Sequence, residues 1–437
     1  MIKPITFCIP TANNEKDYTL LLLESLRRNT QIENHEILIF IDSDNQNTYE
    51  SLIEKKKAFP NMKIYRNETG FPFGSQRNVS IMFDAAKNDI VCYLQSDMVV
   101  GKDLDKWILN DLEDDNTILS FTRIEPPLHP PSPEKIVMDF GIDALLFNMK
   151  SFDNFVEKLQ KEDRPLVDGA HFAPFALNKK LWFEKMKGFD TQFRCSREDS
   201  DFIIRCKLND INLQQSWKTA VYHFTCISSR GKDWFKENDT SVKIKNELQS
   251  RADYQELLRF IRKWGKFGHD VSYFYDIGLV IDLDKYVDVN VLMNIEPFVS
   301  NLYLNDEMVS DYLKKSIEFN HDYFSNLRLK YTKSHWNSVM EKFNRVDFDN
   351  RIRYTTDATF SNDIILYCKY SDLENNLNES INLLRNIHQV ISNTDIGVYE
   401  SAPFRIEINE KNNKIESLKS LNVDLDNLLK NPPCLFE

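Results

Sequence analysis

The chain of 437 residues has no apolar run near the ~18 residues that span a bilayer, and its opening, MIKPITFCIP, meets a proline before the core of a secretory leader could build up. The expectation is a soluble, uncleaved, cytoplasmic protein. Cysteine is scarce too, with seven at positions 8, 92, 195, 206, 226, 368 and 434, an odd number with no C-x-x-C pair. This excludes a disulfide scaffold or a structural zinc site as the organising device and suggests reduced thiols. Positive charge is in deficit, 55 Lys+Arg against 67 Asp+Glu for a net charge of −12. Polyanion binding needs a cationic surface, so nucleic acid is disfavoured as a partner and stays open only through a local basic groove. Glycine numbers only 11, and none stands in the segment Pro10-Thr-Ala-Asn-Asn14 that ends the first apolar run.

What is present is ordinary for a globular chain, 42% apolar and 28% charged, and at ~150 residues per domain the length predicts two or three domains. Ile5–Ile9 is a short apolar run ending at Pro10, and Asp17–Asn29 follows with leucines at helical spacing, so a strand and then a helix are predicted. The alternation continues with strands at Glu36–Ile41, Met62–Arg66 and Ile90–Leu94 and helices at Thr48–Phe59 and Ser75–Ala86. Buried strands alternating with helices predict an α/β fold, an open and mostly parallel sheet with helices on both faces. Ligands of such sheets lie beyond the carboxyl ends of the strands.

Polar residues stand where that rule places a ligand. Thr11 and Asn13 follow the first strand, Asp42 and Asp44 the second, and Gln95, Ser96 and Asp97 the fourth, so one rim should carry all three clusters. The loop Gly70–Gly74 leads to Gln76, Arg77 and Asn78 in the first turn of a helix on the same rim. Acidic, basic and amide groups around one crevice suit a phosphate-bearing ligand and a metal, although strand-end aspartates also cap turns. Prolines 126, 127, 130, 131 and 133 make a stiff loop, either a wall of the site or a surface connection. Further helices are expected at Asn178–Lys187 and from Arg197-Glu-Asp-Ser-Asp201 onward.

In chain order these pieces resemble the glycosyltransferase family 2 enzymes with the GT-A fold. The resemblance is carried by Ile9-Pro-Thr-Ala-Asn13 with Glu15, by Asp42-Ser-Asp44, by Gln76-Arg-Asn78 and by Gln95-Ser-Asp97. It continues with Lys187-Gly-Phe-Asp190, Glu198-Asp199 with Asp201, His223 followed by Ser228 and Ser229, and Phe260 with Lys263-Trp-Gly265, and so spans residues 3–268. It implies a Rossmann-like GT-A domain and inverting transfer of a sugar from a nucleotide diphosphate sugar to an acceptor hydroxyl. A UDP-sugar is the commonest donor among relatives, and a saccharide or glycoconjugate is the implied acceptor. By the same resemblance Pro10, Thr11, Asn13, Asp42, Asp44, Arg77, Gln95 and Ser96 would bind the nucleotide sugar, Asp42 holding the base with Asp44 as the competing assignment.

Asp97 matches the last Asp of the family's D-x-D motif and would ligate Mn²⁺ or Mg²⁺, with His223 as a second ligand. Gln95 stands where the first Asp is usual, which puts metal affinity in question. Asp199 matches the catalytic base that takes the acceptor's proton. The competing account makes Glu198, Asp199 and Asp201 a helix N-cap cluster.

Residues 1–270 are expected to form the GT-A domain and 271–437 a C-terminal α+β domain, with strands at Ile277–Leu283, Ile364–Cys368 and Phe404–Ile408 and a helix at Leu373–Ile391. This second part holds 17 Lys+Arg against 26 Asp+Glu and so most of the negative charge. It would shape acceptor choice, drive homo-oligomer formation through neutral surfaces, or only brace the first domain. Three rival readings stand beside the transferase. One is a catalytically silent nucleotide-sugar-binding or scaffolding protein, motivated by Gln95, and another is a transferase acting on a nucleic-acid base. The third is a sugar nucleotidyltransferase, which normally has a glycine-rich phosphate loop where this chain has Pro10–Asn14.

Overall fold

The computed structural model describes residues 3–67, 75–112, 114–128, 131–168, 173–190, 193, 196–225, 254–317, 351–355, 360–414 and 435–436, with the side chains of 75–77 and 435–436 outside that description. The chain divides into two compact units. The first comprises Met1–Arg194, Arg205–Lys245 and Asn422–Glu437, the second Cys195–Ile204 and Asn246–Leu421.

The strands of the first unit are β1 (Ile5–Thr11), β2 (Glu36–Ile41), β3 (Met62–Arg66), β4 (Ile90–Tyr93), β5 (Met98–Val100), β6 (Thr117–Glu125), β7 (Lys135–Val137), β8 (Val167–Asp168), β9 (Phe175–Asn178) and β10 (Asn212–His223). From a final short strand, Leu435–Phe436, they line up in the order β3-β2-β1-β4-β9-β6-β10-β5. β1 lies parallel to β2 and β4, and β2 to β3, while β9 runs antiparallel to both β4 and β6. The expected α/β class and the GT-A type of mostly parallel sheet are therefore present. Helices α1 (Lys16–Asn29), α2 (Thr48–Lys55), α3 (Ser75–Ala85), α4 (Leu104–Asp111) and α5 (Met149–Leu159) connect the strands. Side chains alternate along a strand, so Ile5, Phe7 and Ile9 of β1 enter one core with Leu22, Leu23 and Leu26 of α1 and Leu104 and Ile108 of α4. Another set of rings packs around α3, whose Phe83 meets Phe175 and Trp182 edge-on.

The apolar run predicts a strand ending before Pro10, yet β1 continues through it to Thr11. Leu94 N donates to Cys8 O, and there β4 leaves the ladder. By alternation, the N–H that Pro10 lacks would face this unpaired side, so the proline costs the sheet no bond. Thr11 O still accepts from Asp42 N at 2.9 Å, which keeps the ends of β1 and β2 level.

The second unit holds β11 (Ile277–Asp282), β12 (Asn301–Leu304), β13 (Ile352–Tyr354), β14 (Ile364–Lys369), β15 (Gly397–Ser401) and β16 (Phe404–Ile408), in the order β13-β12-β11-β14-β16-β15. The first four are parallel, and β16 runs antiparallel to both β14 and β15. Its helices cover residues 254–264, Val289–Ile295, 307–317, Tyr370–Asn375, Leu377–Arg385 and Ile387–Ser392. The predicted helix Leu373–Ile391 is thus broken into separate pieces. A buried ionic triad braces the unit, with the Glu296 carboxylate accepting from Arg262 at 2.8 Å and ion-paired with Arg351 at 2.8 Å. Among the described residues, no helix is long and apolar enough to cross a membrane.

Candidate functional site

The rim of the first sheet is laced by its own polar residues. Pro10 is half-buried and Thr11 buried at the end of β1. The Thr11 hydroxyl lies 2.8 Å from that of Thr19, whose own proton goes to Glu15 O at 2.9 Å, so Thr11 is the donor of the pair. Glu15 is 3% exposed and accepts from Ala12 N at 2.7 Å and from the Ser96 hydroxyl at 2.5 Å, which ties the loop after β1 to the end of β4. Asn13 and Asn14 are exposed, and their backbone N–H groups donate to Ser43 Oγ at 3.3 Å and Asn45 Oδ1 at 2.9 Å.

The two competing aspartates do different things. Asp42 is buried, and Asn67 donates to its carboxylate at 3.0 Å and to its carbonyl at 3.1 Å. Asp44 instead closes the turn into α2, accepting from Gln46, Thr48 and Tyr49 N–H groups at 3.0 Å each. Its partial burial would raise the carboxyl, but these bonds outweigh that and hold it below the usual range. Gln95 is half-buried, and Ser96 and Asp97 are buried. Asn78 is buried in the first turn of α3, whereas the loop Gly70–Gly74 and the Gln76 and Arg77 side chains lie outside the described residues.

Three adjacent strands bring the two metal candidates together with a residue that sequence reasoning missed. β10 runs parallel to β6 with Tyr222 opposite Ile124, and antiparallel to β5 with His223 opposite Met98. His223 therefore sits between Glu125, the last residue of β6, and Asp97, just before β5. Its Nδ1 lies 2.9 Å from Glu125 Oε1 and its Nε2 3.6 Å from Asp97 Oδ1. A bulge in β10 sets this register, because the steps from Ser216 to Ala220 answer to the single step from Phe121 to Thr122 on β6. A regular ladder would place Ala220, not His223, beside Glu125. Bulges commonly re-aim a side chain next to a site. This one is pinned by the Ser216 hydroxyl, which donates to the Asp111 carboxylate and accepts from Lys218 N at 3.1 Å and Thr219 N at 3.2 Å. On either side of His223, Tyr222 and Phe224 enter an aromatic cluster with Phe140, Phe147 and Phe152.

Glu125 is 4% exposed and also accepts from Lys135 Nζ at 2.8 Å. Lys135 opens β7 at the far end of the proline loop and ties that end to Glu125. Burial alone would push the Glu125 carboxyl up, but the bond and charge from His223, with Arg123 and Lys135, hold it at about 2. An ionised carboxylate only accepts hydrogen bonds, so His223 Nδ1 carries a proton and donates it to Glu125, which leaves Nε2 facing the Asp97 carboxylate. An imidazole nitrogen and a carboxylate facing one another are ligand types of a divalent cation, with Glu125 placed as the outer partner that orients the imidazole. Among the described residues no group of three His, Cys, Asp or Glu side chains could hold a metal alone. A hard cation placed there would have Asp97 and His223 as protein ligands and would need a diphosphate with water to complete its shell.

The helix α6 (Glu198–Leu208) has three acidic residues in its first turn. Asp201 is fully buried and accepts from Lys263 Nζ at 2.5 Å and Trp264 Nε1 at 3.1 Å. The piece Lys263-Trp-Gly265 therefore neutralises Asp201. Asp199 is half-buried, and its carboxylate accepts from the Ser200 N–H of its own turn at 2.6 Å. It belongs to the second unit. Ser228 and Ser229 lie outside the described residues.

Residues 6–135 match Glycosyl transferase family 2, a stretch that holds the rim residues from Pro10 to Asp97 and also Glu125. Asp199 and His223 lie beyond it. Among solved structures, the chain is similar to S. aureus TarS 1–349 in complex with UDP, at 14% identity and a TM-score of 0.41, over 93% of this chain and 97% of that one. It is also similar to full S. aureus TarS, at 17% identity and a TM-score of 0.40, over 75% of this chain and 54% of the other. A third is GalNAc-T7 with UDP, GalNAc and Mn²⁺, at 15% identity and a TM-score of 0.38, over 51% of this chain and 44% of that one. No curated protein matches the chain.

Proposed function

We propose, from the family 2 glycosyltransferase domain that residues 6–135 carry, that the protein transfers a sugar from a nucleotide diphosphate sugar to the hydroxyl of a saccharide or glycoconjugate, with inversion at the anomeric carbon. The observation that carries this reading is the line Asp97–His223–Glu125 at the carboxyl rim of the first sheet. Asp42, fixed by Asn67, holds the nucleotide base, while Asp44 keeps the turn beside it. The loop after β1, with Pro10, Thr11 and Asn13, and the residues Arg77, Gln95 and Ser96 complete the donor site. Asp97 and His223 hold a divalent ion, Mn²⁺ or Mg²⁺, which when bound offsets the charge of the leaving diphosphate. An imidazole beside a carboxylate favours Mn²⁺ over Mg²⁺. Gln95 brings no charge, so the cation relies on these two ligands and on the diphosphate itself. Asp199 takes the acceptor's proton as its oxygen attacks the anomeric carbon. Asp201 cannot share that role because Lys263 and Trp264 already engage it.

The test is binding and turnover measured on the same samples. Wild-type protein should bind UDP, or another nucleoside diphosphate, more tightly with Mn²⁺ and should slowly hydrolyse a matching nucleotide sugar. Asp97→Ala should abolish both, and His223→Ala should weaken both less. Wild-type Mn²⁺-dependent turnover by Asp97→Ala would overturn the assignment of the rim, and binding without any turnover would leave the silent nucleotide-sugar-binding reading.

A further inference from the structure

Numbered by chain order within itself, the sheet of the second unit reads 3-2-1-4-6-5 with its sixth strand antiparallel. The central strands of the first unit, β3-β2-β1-β4-β9-β6, read the same way, since β6 precedes β9 in the chain and β9 is the antiparallel member. The likeness extends to the rim. In the first unit Glu15, after strand one, accepts from the hydroxyl of Ser96, after strand four, at 2.5 Å. In the second unit Asp284, after β11, accepts from the hydroxyl of Ser371, after β14, at 2.6 Å, and from its N–H at 2.9 Å. The second unit thus repeats the layout in which open α/β sheets place a ligand crevice at their carboxyl ends.

Its rim nevertheless suits a different ligand. Asp282, Asp284, Asp288 and Asp306 gather negative charge where the strands end, and this repels a diphosphate. On the same rim, between the loop after β11 and the helix 307–317 that follows β12, lies a cavity of 690 Å³ lined by Tyr286, Asp288, Asn290, Met293, Tyr312 and Lys315. That volume lies in the ~300–1,000 Å³ range of small-ligand sites. Tyr286 is 93% and Tyr312 62% exposed, an unusual outlay of aromatic surface for one cavity. A tyrosine ring offers a flat, rigid apolar face with a polar tip. Asp288 is held by one oxygen, which accepts from Asn290 N and Nδ2 at 2.9 Å each, and its other oxygen can accept from a ligand. Lys315 adds a donor to the opposite wall. Exposed aromatic faces with an acceptor and a donor in the same cavity match a pyranose, which has a C–H face and a ring of hydroxyls.

We propose that this cavity is a saccharide-binding site for an uncharged sugar chain, in which Tyr286 and Tyr312 stack on the rings while Asp288 and Lys315 bond the hydroxyls. The proposal goes beyond the transferase reading and does not depend on it, because it concerns binding in the second unit alone. It is tested on the full chain by saturation-transfer NMR with maltotriose, cellotriose, chitotriose and xylotriose as probes. At least one probe should receive saturation at its ring C–H protons. Its affinity should fall by about tenfold or more when Tyr286→Ala and Tyr312→Ala are combined, while Tyr286→Phe should retain binding. Both tyrosines are exposed, so the variants should unfold at the wild-type urea concentration. UDP binding with Mn²⁺, measured on the same samples, should not change. Absence of saturation transfer to every probe, or wild-type affinity in the double variant, would overturn the proposal. Saccharide binding with no UDP binding in wild type would overturn the transferase reading and leave this one standing.

Discussion

Glu125→Gln is the most informative single change, because it keeps the shape of the side chain and removes only its charge. In the native fold the carboxyl is lowered from the usual 4.5 to about 2 despite burial. That difference corresponds to about 3 kcal/mol of preference for the charged form. The neutral amide forfeits it and leaves Lys135, whose side chain is 6% exposed, without its anionic partner. Breaking one side of a buried pair costs ~3–5 kcal/mol, so urea unfolding should shift to clearly lower concentration. The same interaction predicts a pH dependence. The folded value is depressed, so the stabilisation is complete above 4.5 and is lost as pH falls through about 2. The amide can also accept from His223 only weakly or turn its NH₂ toward the ring, so the imidazole loses its fixed orientation. Outer partners of metal-bound histidines are worth ~10–100-fold in affinity, and Mn²⁺ titrated by electron paramagnetic resonance in the presence of UDP should show a loss of that order. If Glu125→Gln bound Mn²⁺ as wild type and unfolded at the same urea concentration, neither the cation pairing nor the orienting role of Glu125 could be sustained.

Two further outcomes follow from the second unit. Asp199→Asn should lower the transfer rate by roughly 10²–10⁴-fold with donor binding and urea stability nearly unchanged, while Asp201→Asn should do the reverse and cost ~3–5 kcal/mol of stability, because it removes the charge that Asp201 pairs with buried Lys263. Equal stability of the two variants in urea would remove the distinction. His388 is held at about 4 by burial and by the charge of Lys266, with its Nδ1 accepting from Tyr275 N at 3.0 Å. The unfolded chain therefore binds the extra proton first, and stability should fall as pH drops from 6.5 toward 4, by up to about 3 kcal/mol, then level off. Urea midpoints between pH 7 and 5, compared with His388→Gln, check this, and a slope that survives in the variant would assign it elsewhere.

Much of the first sheet was legible because short, mostly apolar strand segments alternate with helical ones along the chain. β2 and β3 fall where Glu36–Ile41 and Met62–Arg66 predict them, and α1 begins within one residue of expectation. The line Asp97–His223–Glu125 was only half legible. Asp97 and His223 each stand in a motif, but Glu125 is one of many acidic residues until the pairing of β6 with β10 is known, and pairing leaves no local trace. The broken helix at 373–391 has a local cause that went unread. Asn376 and Asn386 sit at its interruptions with φ near −121° and −112°, and asparagine readily exchanges helical bonds for local ones. The second sheet was legible in part, since β11, β14 and β16 fall within a residue of Ile277–Leu283, Ile364–Cys368 and Phe404–Ile408. β12 and β13 are too short for periodicity to speak, so a parallel order could not be inferred from the longer strands alone.

The bulge in β10 makes the length of one segment matter more than its composition. Surface connections generally tolerate insertion and deletion, but the stretch between Ser216 and Ala220 cannot change by a single residue without turning every later side chain of β10 to the opposite face. His223 would then point into the aromatic cluster and Tyr222 or Phe224 into the rim. A library that randomises the half-buried residues 217 and 218 should therefore yield many active variants, whereas one that varies the number of residues between Ser216 and Ala220 should yield almost none. Related chains could differ freely in sequence there and still be bound to the same count.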